Sequence, residues 1–305
     1  MISGPLVSVA DELEGRPLDL PAGLTLTWLG VSGYVIAYEG KALMIDPYVS
    51  RVPLRSLLLR RRALPDAAMI DRYAALPEGV SLAAVLVGHT HFDHAVDAPA
   101  ICKAHGAPAY GSESLARLMR LHGAGDLAVV VEPHRRYELG PFVVSFTPSK
   151  HSKLLLGRKV PMDGELTCEQ LDGLVPTAYR CGDVYGIRIE VAGISIYHQG
   201  SADLDDAELT EGTVDIFLAG VAGRQVTPRY WQRILPKLDP AVVVPTHYDD
   251  FFAPLGAARK LVRGVGLDAV PDEIADVSRD AEVVALPRVD AGGQPHRWSS
   301  KSTPR

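Results

Sequence analysis

The stretch that decides the fold is AAVLVGHTHFDH, residues 83–94. Its first half is a continuous run of apolar residues, which is typical of a strand buried on both faces. Its second half places His89, His91, Asp93 and His94 directly after that strand. Neutral imidazole is a good ligand for zinc and similar ions, and carboxylate suits harder cations. The pattern therefore predicts a metal site at the end of a buried strand.

Three further candidate ligands follow later apolar runs of the same kind. His151 ends the run VVSFTPSKH, His247 ends the run AVVVPTH, and Asp203 comes soon after the run ISIYHQG. Because ligands placed at strand ends gather along one edge of a sheet, these side chains are expected to join the motif. The sequence thus predicts one centre that is assembled from several strand ends.

The order of strand-like and helix-like segments predicts a single α/β domain. Short runs rich in branched and aromatic residues begin near residue 24, and strands followed by helices occur twice along the chain. This order favours two sheets with helices outside them. We expect a loose N-terminal leader at 1–22, the domain at 23–288, and a polar, disordered tail at 289–305.

The HxHxDH motif and the order of the later ligands resemble the metallo-β-lactamase superfamily, over roughly residues 24–270. The resemblance implies an αββα sandwich of two mixed β-sheets flanked by helices, with a dinuclear metal site on one edge. It also implies a division of the ligands between the two metals. The first metal would be held by His89, His91 and His151, and the second by Asp93, His94 and His247.

The superfamily usually supplies a bridging carboxylate as Gly-Asp after a strand, and this chain departs from that pattern. It reads Gly200-Ser201-Ala202-Asp203, so Ser201 stands where the aspartate is expected. Asp203, two residues on, is the nearest substitute and is expected to be a ligand. Asp46, in the segment IDPY, recurs in the superfamily near the metals and is expected to orient a ligand histidine.

Two further residues are candidates for contact with substrate, namely His198 and Tyr248. The alternative interpretation is that His198 is an ordinary packed residue of a strand. Within the superfamily, the runs WLGVSGYVIAYEGKALMIDPY and PTHYDDF are most similar to the branch of ascorbate-phosphate lactonases and N-acyl phosphatidylethanolamine phospholipase D. The segment 152–182, which lies between ligand-bearing runs, is a candidate roof for the site.

The expected activity follows from two metals that share a water. Two divalent ions, zinc before manganese or iron, lower the pKa of that water towards neutrality. The resulting hydroxide attacks a carbonyl carbon or a phosphorus, and Asp93 and His94 are the residues assigned to catalysis. The sequence thus predicts a metal-dependent hydrolase of an ester, a lactone or a phosphodiester.

Two alternatives remain open at the level of sequence. One is a mononuclear iron (sulfur) dioxygenase of the same superfamily, and the other is a metal-binding protein without catalysis. A diiron oxygen reductase is disfavoured, because such proteins usually carry glutamate at the position of His91.

Composition limits the classes of binding partner that the sequence allows. The formal net charge of −6 disfavours nucleic-acid binding by bulk electrostatics. No apolar run approaches the roughly 18 residues that span a membrane. Three scattered cysteines and the lack of a signal-peptide pattern predict a cytoplasmic protein. We expect a small-molecule or lipid-like substrate and no stable membrane insertion. The sequence does not determine the oligomeric state, and a homo-oligomer is one of the possibilities. The role of the arginine-rich segment 51–62 stays open between lipid contact and an ordinary amphipathic helix.

Overall fold

The computed structural model describes residues 9–16, 18–210, 212–257, 260–262, 264–287 and 297–299, with the backbone alone at positions 155 and 156. Within these ranges the strands form two sheets of seven strands each. No helix in the same ranges is both long and apolar enough to cross a membrane.

The first sheet combines an antiparallel half with a parallel half. Its strands are β1 (Thr25–Gly30), β2 (Gly33–Tyr38), β3 (Lys41–Ile45), β4 (Ser81–Leu86), β5 (Ala109–Gly111), β6 (Ala128–Val130) and β14 (Arg297–Ser299). Their order is β14-β1-β2-β3-β4-β5-β6. Pairing is antiparallel from β14 to β3 and parallel from β3 to β6.

The second sheet is also mixed. Its strands are β7 (Arg136–Leu139), β8 (Phe142–Ser149), β9 (Val184–Val191), β10 (Ile194–Gln199), β11 (Ile216–Gly220), β12 (Val242–Thr246) and β13 (Glu282–Val283). Their order is β13-β12-β11-β10-β9-β8-β7, antiparallel from β7 to β10 and parallel from β10 to β13.

Short helices connect the strands. They are α1 (Val9–Glu14), α2 (Leu54–Leu58), α3 (Ala67–Tyr73), α4 (Phe92–Ala95), α5 (Ala98–His105), α6 (Glu113–Leu121), α7 (Leu154–Gly157), α8 (Tyr230–Leu238) and α9 (Val270–Ala275). Single 3-10 turns occur at Gly125–Leu127, Leu171–Gly173, Pro176–Ala178, Arg224–Val226 and Leu267–Ala269. Local sequence explains several helix starts. The Asp66 side chain, for example, accepts hydrogen bonds from the first backbone N–H groups of α3.

Alternate residues of the central strands face two different apolar layers. In β4, Ala84 and Leu86 lie in the core between the sheets. Val85 and Val87 lie in a second core, between the first sheet and its helices. A strand buried on both faces needs apolar residues at every position, which is why this run reads as continuous. The predicted αββα sandwich of two mixed sheets is therefore confirmed.

The structure describes parts of the predicted leader and of the predicted tail. Residues 9–14 form α1, and Leu13 is fully buried in the core between the sheets. Residues 297–299 form β14, which pairs with the edge strand β1. Residues 9–14 thus bury an apolar side chain, and residues 297–299 pair an open sheet edge. The leader at 1–22 and the disordered tail at 289–305 stay predictions. Residues 1–8, 288–296 and 300–305 lie outside the described residues.

Candidate metal centre

The structure brings the expected ligands, with one exception, into two groups. One group is His89, His91 and His151, and the other is Asp93, His94 and His247. Within each group the ligand atoms lie within 4.8 Å of one another. The motif follows β4, whereas the two later histidines follow β8 and β12. Both groups therefore lie along one edge that the two sheets share.

The two groups are neighbours. The ring centroids of His89 and His94, which belong to different groups, are 3.8 Å apart. Within the first group, Nε2 of His89 lies 3.1 Å from Nδ1 of His91. In the second, Nε2 of His247 lies 3.3 Å from Oδ2 of Asp93. Ligand atoms from several segments thus point into one small volume.

Hydrogen bonds leave one ring nitrogen available on three of these histidines. Nε2–H of His91 donates to the carbonyl oxygen of Pro161 at 2.9 Å, and Nδ1–H of His151 donates to the carbonyl oxygen of Ser152 at 2.8 Å. His94 is held through Nδ1 by a carboxylate oxygen of Asp46 at 2.8 Å. Metal-binding histidines usually have their second nitrogen fixed in this way. The donor set therefore fits divalent metal ions.

Asp46 lies behind the centre and contacts two segments that follow strands. Its Oδ1 accepts a hydrogen bond from the backbone N–H of Gly88 at 2.7 Å, while its Oδ2 holds His94. Its φ of 40° is uncommon for a residue with a side chain. A side chain on Gly200 would place a Cβ only 3.0 Å from Oδ2 of Asp46, so any other residue there would force these neighbours to shift.

The protonation of the cluster suits metal binding. Burial lowers the pKa of His91 to about 4 and that of His151 to about 3. Burial, reinforced by neighbouring imidazoles, also lowers the pKa of His89 well below its ordinary value. Burial alone would raise the pKa of Asp93, but His94 and His247 outweigh it and lower that pKa. At neutral pH His89, His91 and His151 are thus neutral imidazoles and Asp93 is an ionised carboxylate, the forms that bind metals. Burial alone would lower the pKa of His94, but Asp46 and Asp93 outweigh it and raise that pKa.

Asp203 is the exception. Its Oδ1 forms an ion pair with Nη1 of Arg233 at 2.9 Å and accepts a hydrogen bond from the N–H of Leu204. The expectation that Asp203 supplies a bridging carboxylate is therefore not met, because its charge is paired with an arginine on α8. Ser201 instead lies at the centre's margin, where its Oγ accepts a hydrogen bond from the N–H of Ser152 at 3.0 Å.

Neither His198 nor Tyr248 reaches a substrate position. His198 is fully buried, and its Nε2–H donates to the carbonyl oxygen of Ser32 at 2.9 Å. Tyr248 is fully buried against Trp28, with ring centroids 5.0 Å apart. His247, which follows β12, has a φ of 60°, which is uncommon for a residue with a side chain.

A cavity of about 490 Å³ opens beside the ligands. Sequence reasoning missed two of its walls, Phe251 and Phe252, which follow the last ligand histidine. The segment 152–182, expected as a candidate roof, contributes Ser152, Leu154, Pro161 and Met162 to the lining. Thr90 of the motif anchors that segment, because its hydroxyl donates to a backbone carbonyl oxygen there at 2.7 Å.

A buried ion pair supports the loop that carries His247. Nη1 of Arg51 lies 3.0 Å from Oδ2 of Asp249, and both side chains are buried. Oδ1 of Asp249 accepts from the N–H of Val31 at 2.8 Å, and the carbonyl oxygen of Val31 accepts from the N–H of His247 at 2.8 Å. A Cβ at Gly30 would collide with the Arg51 guanidinium. The first arginine of the 51–62 segment is therefore part of the frame and does not face a lipid.

Two sheets with a histidine-rich centre on their common edge define a class of metal-binding α/β protein. The family model described as a beta-lactamase superfamily domain matches residues 25–247, and the chain belongs to this superfamily. The superfamily inferred from the motif is thus confirmed.

Individual relatives are distant. A protein of Cereibacter sphaeroides described as a UPF0173 metal-dependent hydrolase is 26% identical over 256 residues, 82% of this chain and 97% of the relative. A metallo hydrolase from Ignicoccus hospitalis has a TM-score of 0.50 at 18% identity, covering 91% of this chain and 99% of that one. The diiron beta-hydroxylase CmlA from Streptomyces venezuelae has a TM-score of 0.57 at 15% identity, covering 88% and 54%. The two structural likenesses show the fold alone.

Proposed function

We propose that the protein is a metal-dependent hydrolase with a dinuclear centre, acting on an ester, a lactone or a phosphodiester. The observation that carries the proposal is the pair of adjacent ligand groups beside an open cavity. The similarity to a relative described as a metal-dependent hydrolase supports it.

Metal ions held by the two groups would supply Lewis acidity and a hydroxide nucleophile at neutral pH. The chain's own residues do the rest. Asp93 lines the cavity and stays ionised, so its carboxylate can accept a hydrogen bond from an attacking water and orient it. Asp46 and the carbonyl oxygen of Pro161 hold the ligand rings still. Phe92, Phe251 and Phe252 limit the access of bulk water from one side.

The proposal extends to the metal, the branch and the setting. Imidazole-rich sites suit zinc, with manganese or iron as substitutes set by availability. The runs 28–48 and 245–251 support the branch of ascorbate-phosphate lactonases and N-acyl phosphatidylethanolamine phospholipase D. Its substrate would be a small or lipid-like molecule, and the scattered cysteines favour a cytoplasmic setting.

Metal removal tests the function directly. We expect about two zinc or manganese ions per purified chain. We also expect hydrolysis of at least one substrate among carboxylic esters, lactones and bis-aryl phosphodiesters. A chelator should abolish this activity, and the added metal should restore it. Elemental analysis and the rate of product release are the measurements. One iron per chain with no hydrolysis would reject the proposal and point to dioxygen chemistry.

The Ser201 departure gives a second prediction. Ser201→Asp would add a carboxylate at the margin of the centre. We expect it to raise the affinity for the more weakly bound of the two metal ions by about tenfold or more. Asp203→Asn is the contrasting variant, because the Asp203 carboxylate is engaged by Arg233. It should leave metal content unchanged. Metal titration followed by calorimetry measures both, and loss of metal from Asp203→Asn would contradict the observed geometry.

A further inference from the structure

The wall of the cavity beside the metal centre is mostly apolar. Its larger apolar side chains include Phe92, Leu154, Met162, Val226, Phe251 and Phe252. Its volume of about 490 Å³ falls within the roughly 300–1,000 Å³ typical of pockets for small molecules. The cavity therefore has room for a sizeable apolar group next to the reacting atoms.

Charge is nearly absent from this wall. Within the described part of the chain, no lysine or arginine lines the cavity, and Asp93 is its single carboxylate. The other polar side chains there, besides the histidines, are Ser152, Ser201 and Gln225. An anionic group placed against this wall, away from the metal ligands, would lose its hydration without gaining a cationic side chain from the described residues, which is unfavourable. The wall thus favours a neutral group.

Apolar surface continues from the cavity to the protein's exterior. Val226 and Leu154 line the cavity and are still 37% and 39% exposed. Leu57 lines it from α2, and the next residue, Leu58, is 71% exposed. Large exposed apolar side chains that cluster around an opening mark a binding surface for an apolar ligand. The approach to the site therefore has the same character as its interior.

We propose that the substrate is a neutral carboxylic ester or lactone whose alkyl or aryl group fills this cavity. The inference rests on the proposed hydrolase function and selects among its substrate classes. In the reaction, the oxygen of water bonds to the acyl carbon and the acyl C–O bond breaks. A proton from that water passes to the departing alkoxide oxygen, which leaves an acid and an alcohol, joined in one molecule for a lactone.

Chain length is the first test. Each buried methylene is expected to strengthen binding by roughly fourfold. We therefore expect kcat/KM for p-nitrophenyl esters of straight-chain acids to rise by about that factor per methylene from acetate upward, until the cavity is full. A rate that ignores chain length would overturn the proposal, and so would a tenfold or greater preference for bis-p-nitrophenyl phosphate.

A matched pair of variants locates the effect. Val226→Asp puts a carboxylate on the cavity wall, whereas Val130→Asp puts one on β6, at a valine of similar exposure, 37% against 41%. We expect Val226→Asp to remove most of the chain-length dependence and Val130→Asp to retain it, with both variants folded by circular dichroism. Equal behaviour of the two variants would overturn the proposal.

A binding measurement separates this inference from the hydrolase itself. Nile red, a neutral apolar dye, is expected to bind chelator-treated protein and Val130→Asp, but to bind Val226→Asp at least tenfold more weakly. If the esters are not hydrolysed but the dye behaves in this way, the hydrolase function is rejected while the site for a neutral apolar ligand stands. If the dye binds all three proteins equally, the site is rejected.

Discussion

Asp93→Ala is expected to reduce hydrolysis by more than about 100-fold, because loss of even an outer partner of a metal ligand typically costs about 10- to 100-fold. Asp93 is the one carboxylate in the two ligand groups. Its removal takes away the negative charge that faces His247 at 3.3 Å and the group that orients the attacking water. The variant should also retain less than the full complement of metal.

The matched control for this variant is Asp71→Ala. Asp71 is an exposed aspartate on α3, so its removal changes the net charge equally without touching the centre. Activity with excess metal in the assay, together with elemental analysis, distinguishes loss of the ion from loss of orientation. Near-normal turnover by Asp93→Ala would exclude the assigned role.

Arg51→Met is expected to lower the free energy of unfolding by about 3–5 kcal/mol, the usual result of leaving one member of a buried ion pair without its partner. Asp249 has no exposed surface, so its charge would stay buried. Several segments meet at this pair, among them the loop that carries His247 and the turn after β1. Urea denaturation measures the change.

Arg55→Met is the matched control, since Arg55 is an exposed arginine of the same segment. It should change stability by no more than about 0.5 kcal/mol. The double variant Arg51→Met with Asp249→Leu should be more stable than Arg51→Met alone, because no buried charge then lacks a partner. A stability of Arg51→Met close to that of Arg55→Met would show that the pair does not stabilise the fold.

The sequence predicts what depends on short-range patterns. The apolar runs before His89, His151 and His247 predict buried strands, and ligands at strand ends gather along one edge of a sheet. Those features predict two sheets with helices outside them and one metal centre at the strand ends. The αββα sandwich and the division of the ligands into two groups are what the resemblance to the superfamily implied. The burial of β4 on both faces could be predicted without knowing which helices cover it.

What the sequence did not predict depends on distant contacts or on backbone geometry. Asp203 turns to Arg233, which lies 30 residues further along the chain. His247 adopts a positive φ, and the next residue, Tyr248, packs on Trp28. Hydrophobic periodicity does not predict a positive φ at a single residue. Residues 297–299 pair with β1 only because the fold leaves that edge open.

The division of each ligand group between the two sheets has a consequence for how the protein matures. Each group takes two side chains from the segment that follows β4 in the first sheet and one from a segment that follows a strand of the second sheet. The segments of one sheet alone therefore cannot complete either three-ligand group. A metal ion bound by a full group would therefore link the two sheets, and its binding free energy would add to the free energy of folding. A nascent chain could complete the first group once His151 has been made, but the second group would wait for His247. Chains that end before residue 247 would therefore lack one of the two groups.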